Sequence, residues 1–413
     1  MVGKKYEWED GAELADHSRM KHQILREYFY EYVITRCQTP KMERFRLAIV
    51  DGFAGGGRYK CGAPGSPLIF IQELHRAIDV INVNRALQNL APIRIECTMV
   101  LNDYEPAALD SLKTHIAPVL VEYVDSSEYL SVQIDYLNDE FEKVYPRIKE
   151  YLQRGRFRNI LFNLDQCGHS HVTTETLRDI MSSDTSTEIF YTFMITALLT
   201  YLQKNNPQML ERQLAHLSIS KLDLDLLSEQ MSNRQWLGTA ENIVFSAFQK
   251  CAQFVSPFSI NNPQGWRYWL IHLASSYRAR QVYNNVLHKN SKSQAHFGRS
   301  GLNMLAHDPQ EEGTLYLFDV NAREEAKGQL HDDIPKLVSE FGDALNMAEF
   351  YGRIYNHTPA HSDDIHVTMI ENPDLEIITP SGGTRRKANQ IDIKDTIKLK
   401  SQTSFFPMFQ RKT

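Results

Sequence analysis

Apolar runs and glycine-bearing polar breaks alternate along the first half of the chain. Residues 18–37 carry apolar and aromatic groups at helical spacing, which predicts an amphipathic helix. "RLAIVDGF" (46–53) is an unbroken β-branched run ending in Asp-Gly, as a strand buried on both faces would be. Ser66-Pro67 then opens a helix, with the serine as a cap and the proline in its first turn. The same alternation predicts strands at 94–103, 131–139, 157–165 and 188–198, with helices between them. Strand and helix alternating at these lengths imply a parallel sheet wrapped on both faces.

The pattern then changes. Residues 201–252 are polar and Leu-periodic, without strand signals, and read as a helical insertion. "WRYWLIHLASS" (266–276) resumes the sheet, a helix follows, and "GTLYLFDV" (313–320) reads as a final strand. The stretch between these last two is loop-like. Helices at 334–345 and 358–374 precede "LEIITPSGGTRRKANQIDI", which reads as two strands about a Ser-Gly-Gly turn. The expected fold is a doubly wound α/β sheet of Rossmann type. Its core spans 1–200 and 253–321, interrupted by the insertion at 201–252 and followed by a small winged-helix-like module at 322–413.

Charge and composition narrow the function. The net charge of −6 excludes a bulk polycation, so nucleic acid would have to meet local basic patches. No apolar run reaches the roughly 18 residues of a membrane span, and the N-terminal stretch lacks a signal-peptide core. Five scattered cysteines without a CxxC pair suit reduced thiols in a cytoplasm.

The candidate chemistry starts at "DGFAGGG" (51–57). A phosphate-binding loop needs GxxxxGK followed by Ser or Thr, and no such lysine follows. A dinucleotide fingerprint needs GxGxxG directly after the strand, and glycines 52, 55, 56 and 57 do not fit it. S-adenosylmethionine fits better. Its ammonium suits the Asp51 carboxylate, and its carboxylate suits free amides on a glycine turn, so Asp51, Phe53, Ala54, Gly55, Gly56 and Gly57 are assigned to its amino-acid end. Asp103 ends the second strand where a carboxylate accepts ribose hydroxyls, and Tyr104 is placed against adenine. Asn138 or Asp139, at the third strand's end, is assigned to the adenine edge. A turn-forming Asp-Gly accounts for Asp51 without any ligand, and a helix N-terminal acid accounts for Asp103.

"VDGFAGGGRYKCGAPGSPL", "NILFNLDQCG", "YWLIHLASSYRARQVYNNVLHKNS" and "TPAHSDDI" with "SGGTRRKA" occur in that order. Together they resemble the three-Cys-motif partner proteins (TcmP), over most of the chain. The resemblance implies a methyltransferase-like domain that accompanies a radical-type protein with three cysteines. Base-directed amino-methyltransferases carry Asp-Pro-Pro-Tyr or Asn-Pro-Pro-Tyr after the fourth strand. Here the residues are Asp165-Gln166-Cys167-Gly168, so the acid is kept and the prolines and aromatic are not. Asp165 and Gln166 are the catalytic candidates, as proton acceptor or substrate-orienting groups. Cys167, His169 and His171 alternate, which suits either a metal face or a polar loop.

Arg385, Arg386 and Lys387 follow the hairpin turn, as on a wing that contacts DNA or RNA, or on a hairpin that docks the module. The tail "QTSFFPMFQRKT" either folds back through Phe405, Phe406, Met408 and Phe409 or docks elsewhere. "QTSFF" resembles the peptides that bind DNA sliding clamps. Two functions are therefore expected to compete: a transferase working on or with nucleic acid, and a non-catalytic scaffold for the companion protein. A metal-dependent nuclease lacks the acid–x–acid or acid–x–lysine pattern it needs.

Overall fold

The computed structural model describes Trp8 and residues 11–183, 185–203, 206–224, 227, 233–261, 267–290, 294–297, 315–317 and 320–400. The chain divides into two compact units, Met1–Ala295 and His296–Thr413.

The first unit opens with α1 (Asp16–Arg36) and β1 (Arg44–Asp51). Then come α2 (Ser66–Leu87), β2 (Arg94–Asn102), α3 (Pro106–Tyr123), β3 (Leu130–Leu137), α4 (Phe141–Arg154), β4 (Asn159–Leu164), α5 (Thr174–Met181) and β5 (Ser186–Phe193). After α6 (Ile195–Tyr201), the inserted region holds α7 (Pro207–Leu214), α8 (Lys221–Leu224) and α9 (Asn233–Gln249). β6 (Phe254–Asn261), β7 (Arg267–Ala274) and α10 (Tyr277–Lys289) follow, and the unit ends within β8 (Gln294–Phe297).

The sheet runs β3-β2-β1-β4-β5-β7-β6, with β8 beyond β6. β1 to β5 are parallel neighbours, and β7 lies antiparallel to both β5 and β6. That inserted strand separates this sheet from the simple dinucleotide-binding order 3-2-1-4-5-6. The central strands are buried almost throughout, as covering helices on both faces require, whereas edge strand β3 is buried only at Leu130 and then alternates exposed and half-exposed positions. No described helix is long and apolar enough to cross a membrane.

Several boundaries differ from the sequence expectation. The strand expected at 188–198 stops at Phe193, and α6 takes over from Ile195. β6 was not expected, because Pro257 and two serines argue against a central strand. It is tolerated because β8 pairs with β6 only at Ser259 and Ile260, clear of the proline. β8 itself lies inside the stretch expected to be loop. Ser66 does not cap α2: the cap is Gly65, and the serine hydroxyl turns to Asp51 instead.

The second unit contains β9 (Leu315–Leu317), α11 (Val320–Glu340), β10 (Ala344–Asn346), α12 (Met347–Ile354), α13 (Ser362–Glu371), β11 (Leu375–Ile378) and β12 (Thr396–Leu399). β10, β12 and β11 form an antiparallel sheet in that order. The expected turn is present, with the Thr379 amide donating to the Gly383 carbonyl at 2.7 Å. The return strand comes later than expected, at Thr396, because residues 385–395 form a loop. Arg385 makes a two-pronged pair with the buried Asp395 that closes it (2.8 and 3.1 Å). The aromatic tail lies outside the described residues.

A buried polar cluster lies near the start of β5. Glu188 accepts from the Tyr28 hydroxyl, from Arg36 at 3.3 Å and from the His272 ring at 3.3 Å, with all but Arg36 buried. Burial opposes its charge, yet His272, Arg36 and Tyr28 outweigh that and hold the carboxyl below its usual range. Removing the acceptor strands the buried Tyr28 hydroxyl and His272 ring in a dry interior and leaves Arg36 with Ser186 as its acceptor. Glu188→Ala is expected to lower unfolding stability by about 3–5 kcal/mol in denaturant titration. A loss under about 1 kcal/mol would show that the donors find other partners.

Candidate functional site

The C-terminal ends of β1, β2 and β4 meet along one edge of the sheet, and loops from those strands are tied to each other there. Gly52 donates its amide to the Asn163 carbonyl, and Ala54 donates to the Asn102 carbonyl, both at 2.9 Å. The buried Asn102 amide bridges the carbonyls of Gly52 and Asp139 at 3.0 Å each. The start of the turn has no room for a side chain. A Cβ on Gly52 would sit 2.7 Å from the Phe141 ring and 2.8 Å from Leu164.

Asp51, the last residue of β1, is fully buried. It accepts from the Ser66 hydroxyl (2.6 Å), the Asn163 amide (3.1 Å) and the Phe53 backbone amide (3.3 Å). Burial raises its carboxyl from the ordinary 3.8 to about 7, against the pull of those three donors.

The glycine turn passes directly beside Asp103. The Gly55 amide donates to Asp103 Oδ2, and the Glu105 amide donates to Oδ1, both at 2.9 Å. Burial also raises the Asp103 carboxyl, opposed by those backbone donors. The Tyr104 backbone amide also lowers it, so three backbone donors face this carboxylate, which still has acceptor capacity for a ligand. The far side of the turn rests on α3, where Ser111 Oγ and His115 Nδ1 reach the Gly56 carbonyl at 3.0 and 2.8 Å. Tyr104 stands exposed at the rim.

The turn is not bare, as the sequence suggested. The Trp8 indole lies on it, and a Cβ at Gly55 or Gly56 would come within 2.6 or 2.4 Å of that ring.

Asn138 and Asp139 are spent on the scaffold. The Asn138 amide donates to the carbonyls of Asp103 (2.8 Å) and Tyr104 (3.1 Å). Asp139 Oδ1 accepts from the Glu140 amide at 2.8 Å. Phe53 turns toward Phe141 and His171, with ring centroids 6.0 and 6.4 Å away.

Asp165 follows β4 and pairs with Lys21, a mostly buried lysine on α1. Burial opposes its charge, but the Lys21 ammonium and hydrogen bonds from Lys21 and Thr192 prevail and hold it below the usual carboxylate range. Lys21, His22, Ser66, Asn163, Asp165 and Thr192 line a small cleft walled by Leu25, Phe190 and Leu270. Burial lowers the His22 ring to about 4, so it is neutral at pH 7. At the N-terminal end of α1, His17 stacks on Tyr268 with centroids 4.2 Å apart and planes within 7°.

Gln166 is not aimed at this cleft. Its amide donates to the Tyr191 hydroxyl at 2.6 Å, and its oxygen accepts from the His171 amide at 2.9 Å. It braces the loop after β4. The metal-face alternative for Cys167, His169 and His171 gains no support. His171 reaches the Cys167 carbonyl at 3.2 Å, while His169 packs beside Phe193 and His216. No group of three metal-ligating side chains occurs among the described residues.

Sequence reasoning missed Lys21, Ser66, Asn102, Asn163 and Trp8. Two of these had a signal. Asn163 is two residues before Asp165 and so shares its face of the strand. Lys21 lies in helical phase with the buried Ile24, Leu25 and Tyr28.

No family model and no curated protein matches this chain. The reading of the site therefore rests on its geometry.

A buried acid with a raised pKa makes folding dependent on pH. The cost of ionising Asp51 is absent below about pH 4 and fully present above about pH 7. Asp51→Asn removes that titration. Its unfolding free energy, measured against the wild type, should shift in the variant's favour by about 2–3 kcal/mol between pH 5 and pH 8. A difference that stays constant over that range would mean Asp51 does not titrate there.

Proposed function

We propose that the first unit is an S-adenosylmethionine-dependent, methyltransferase-like domain that works on or with nucleic acid as the companion of a three-Cys-motif protein. One observation carries the cofactor reading: the Asp51 carboxyl, the glycine turn and Asp103 converge on one sheet edge, and the Gly55 amide bonds Asp103 directly. Apart from the Lys21–Asp165 pair, the described residues of this edge are rich in acids and poor in cations. Arg58, the nearest basic residue in the loop, donates to its own loop's Gly62 carbonyl at 3.0 Å. Such an edge favours a ligand with an ammonium and a sulfonium over one with phosphates. Asp51 would take the ammonium and Asp103 the ribose hydroxyls, with Tyr104 free at the rim to stack on adenine.

Asp165 would face the acceptor. Lys21 keeps it ionised and weakly basic, so it suits orienting an N–H group better than deprotonating a hydroxyl. Transfer would be an in-line displacement. The acceptor's lone pair bonds to the methyl carbon, the C–S bond breaks, its electrons stay on sulfur, and the acceptor's proton leaves to Asp165 or water.

The second unit would be the winged-helix-like module. Its helices and three-stranded sheet are compatible with that architecture. Arg385 is committed to Asp395, which leaves Arg386 and Lys387 exposed on the wing. Helix α13 carries Asp363, Asp364 and Glu371 and no lysine or arginine, so phosphate contact falls to the wing rather than to this helix. The sliding-clamp reading of the tail concerns residues outside those described.

Specific observations also favour a non-catalytic scaffold. Gln166 is used internally, Asp165 is neutralised by Lys21, and an indole covers the turn.

Calorimetric titration with S-adenosylmethionine separates the cases. Binding by the wild type with at least tenfold weaker binding by Asp51→Ala is expected. No heat, or equal affinity in the variant, would contradict the cofactor reading. With binding established, radiolabelled cofactor offered with DNA, RNA or companion protein tests transfer. Label in one pool supports the enzyme, and label in none supports the scaffold.

A further inference from the structure

We propose that Trp8 is a competing occupant of the glycine turn, so that the cofactor must displace its indole to bind. The proposal rests on the cofactor reading above. An ideal Cβ on Gly55 would lie 2.6 Å from Trp8 Cζ2, and one on Gly56 2.4 Å from Cε3. The benzenoid edge of the indole therefore lies in direct contact with the backbone of both residues, and no further layer of atoms fits between. A ligand that touches this backbone and the indole that now covers it exclude each other.

The indole is held there by its own segment. The Gly11 amide donates to the Trp8 carbonyl at 3.1 Å, and the Lys60 amide donates to the Ala12 carbonyl at 2.9 Å. The Tyr59 ring stands 5.5 Å from the indole, centroid to centroid. Trp8 and Ala12 thus both rest on the loop that continues the turn. The turn beneath it is already shaped, because Asp103 holds Gly55, and Ser111 and His115 hold Gly56. The indole carries no charge, so it brings no cation for Asp51. It covers the glycine backbone without supplying the positive charge that a buried acid favours, as a displaceable cover does.

The cover lowers apparent affinity by the fraction of time the turn is open. A turn covered nine times in ten binds about tenfold more weakly than an open one. Removing an aromatic side chain from the site should therefore tighten binding, the reverse of what a stacking residue would show.

The test uses the full chain and S-adenosylhomocysteine, which binds without turnover. Calorimetry on the wild type and Trp8→Ala should give about tenfold tighter binding in the variant. In the unaltered protein, Trp8 fluorescence, obtained by subtracting the spectrum of Trp8→Phe, should shift to the red as the ligand saturates. Wild-type binding that Trp8→Ala leaves equal or weakens overturns the cover. So does saturation of the wild type with no change in the Trp8 signal, a result that does not depend on how the alanine variant folds. No binding by either protein overturns the cofactor reading, and the cover with it.

Discussion

A carboxyl group taken wholly out of water governs the edge of the sheet. Asp51 sits at the tip of β1 with three hydrogen-bond donors around it and no cation among them. Three donors do not repay the loss of hydration, and the acid's affinity for its proton rises accordingly. Ionising this group costs the fold stability, so at neutral pH it is poised near half-protonation. A ligand that brings a positive charge recovers that stability, which is why strongly shifted acids cluster where ligands bind. The neighbouring loops follow from the same constraint. Ser66 gives up capping α2 to serve Asp51, and Asn163 of β4 reaches across to it.

The second acid pair behaves differently. Asp165 meets a buried lysine, so its charge is secured rather than stressed. Asp165 lines the cleft, and Asp51 lies behind it through Ser66 and Asn163; the two acids are biased in opposite directions, one toward its proton and one away from it. This division suits a site in which one acid awaits a cation and the other orients an acceptor. With Trp8 on the turn and Lys21 on Asp165, the described arrangement is a closed one whose two covers both come from the N-terminal part of the chain.

Much of this was legible from the sequence where a local rule decides the outcome. The β-branched run ending in Asp51 became the central strand, and Asp103 came to the adjacent strand end, because parallel strands covered on both faces deliver their C-terminal residues to one edge. What was not legible depended on contacts distant in sequence. Nothing near Trp8 shows that its ring will rest on Gly55 and Gly56, and nothing near Gln166 shows that Tyr191 will claim its amide. β6 was hidden by Pro257, whose cost depends on how little of the next strand pairs with it. Arg385 looked like a surface charge until Asp395, ten residues on, folded back to it.

The most direct test of the central claim is a structure of the protein crystallised with S-adenosylhomocysteine. The account predicts ligand density along the β1–β2 edge, with ribose hydroxyls within hydrogen-bond distance of Asp103, the amino group facing Asp51 and the Trp8 ring moved off Gly55 and Gly56. Density at another place, or an empty edge with the indole still seated at saturating ligand, would contradict it.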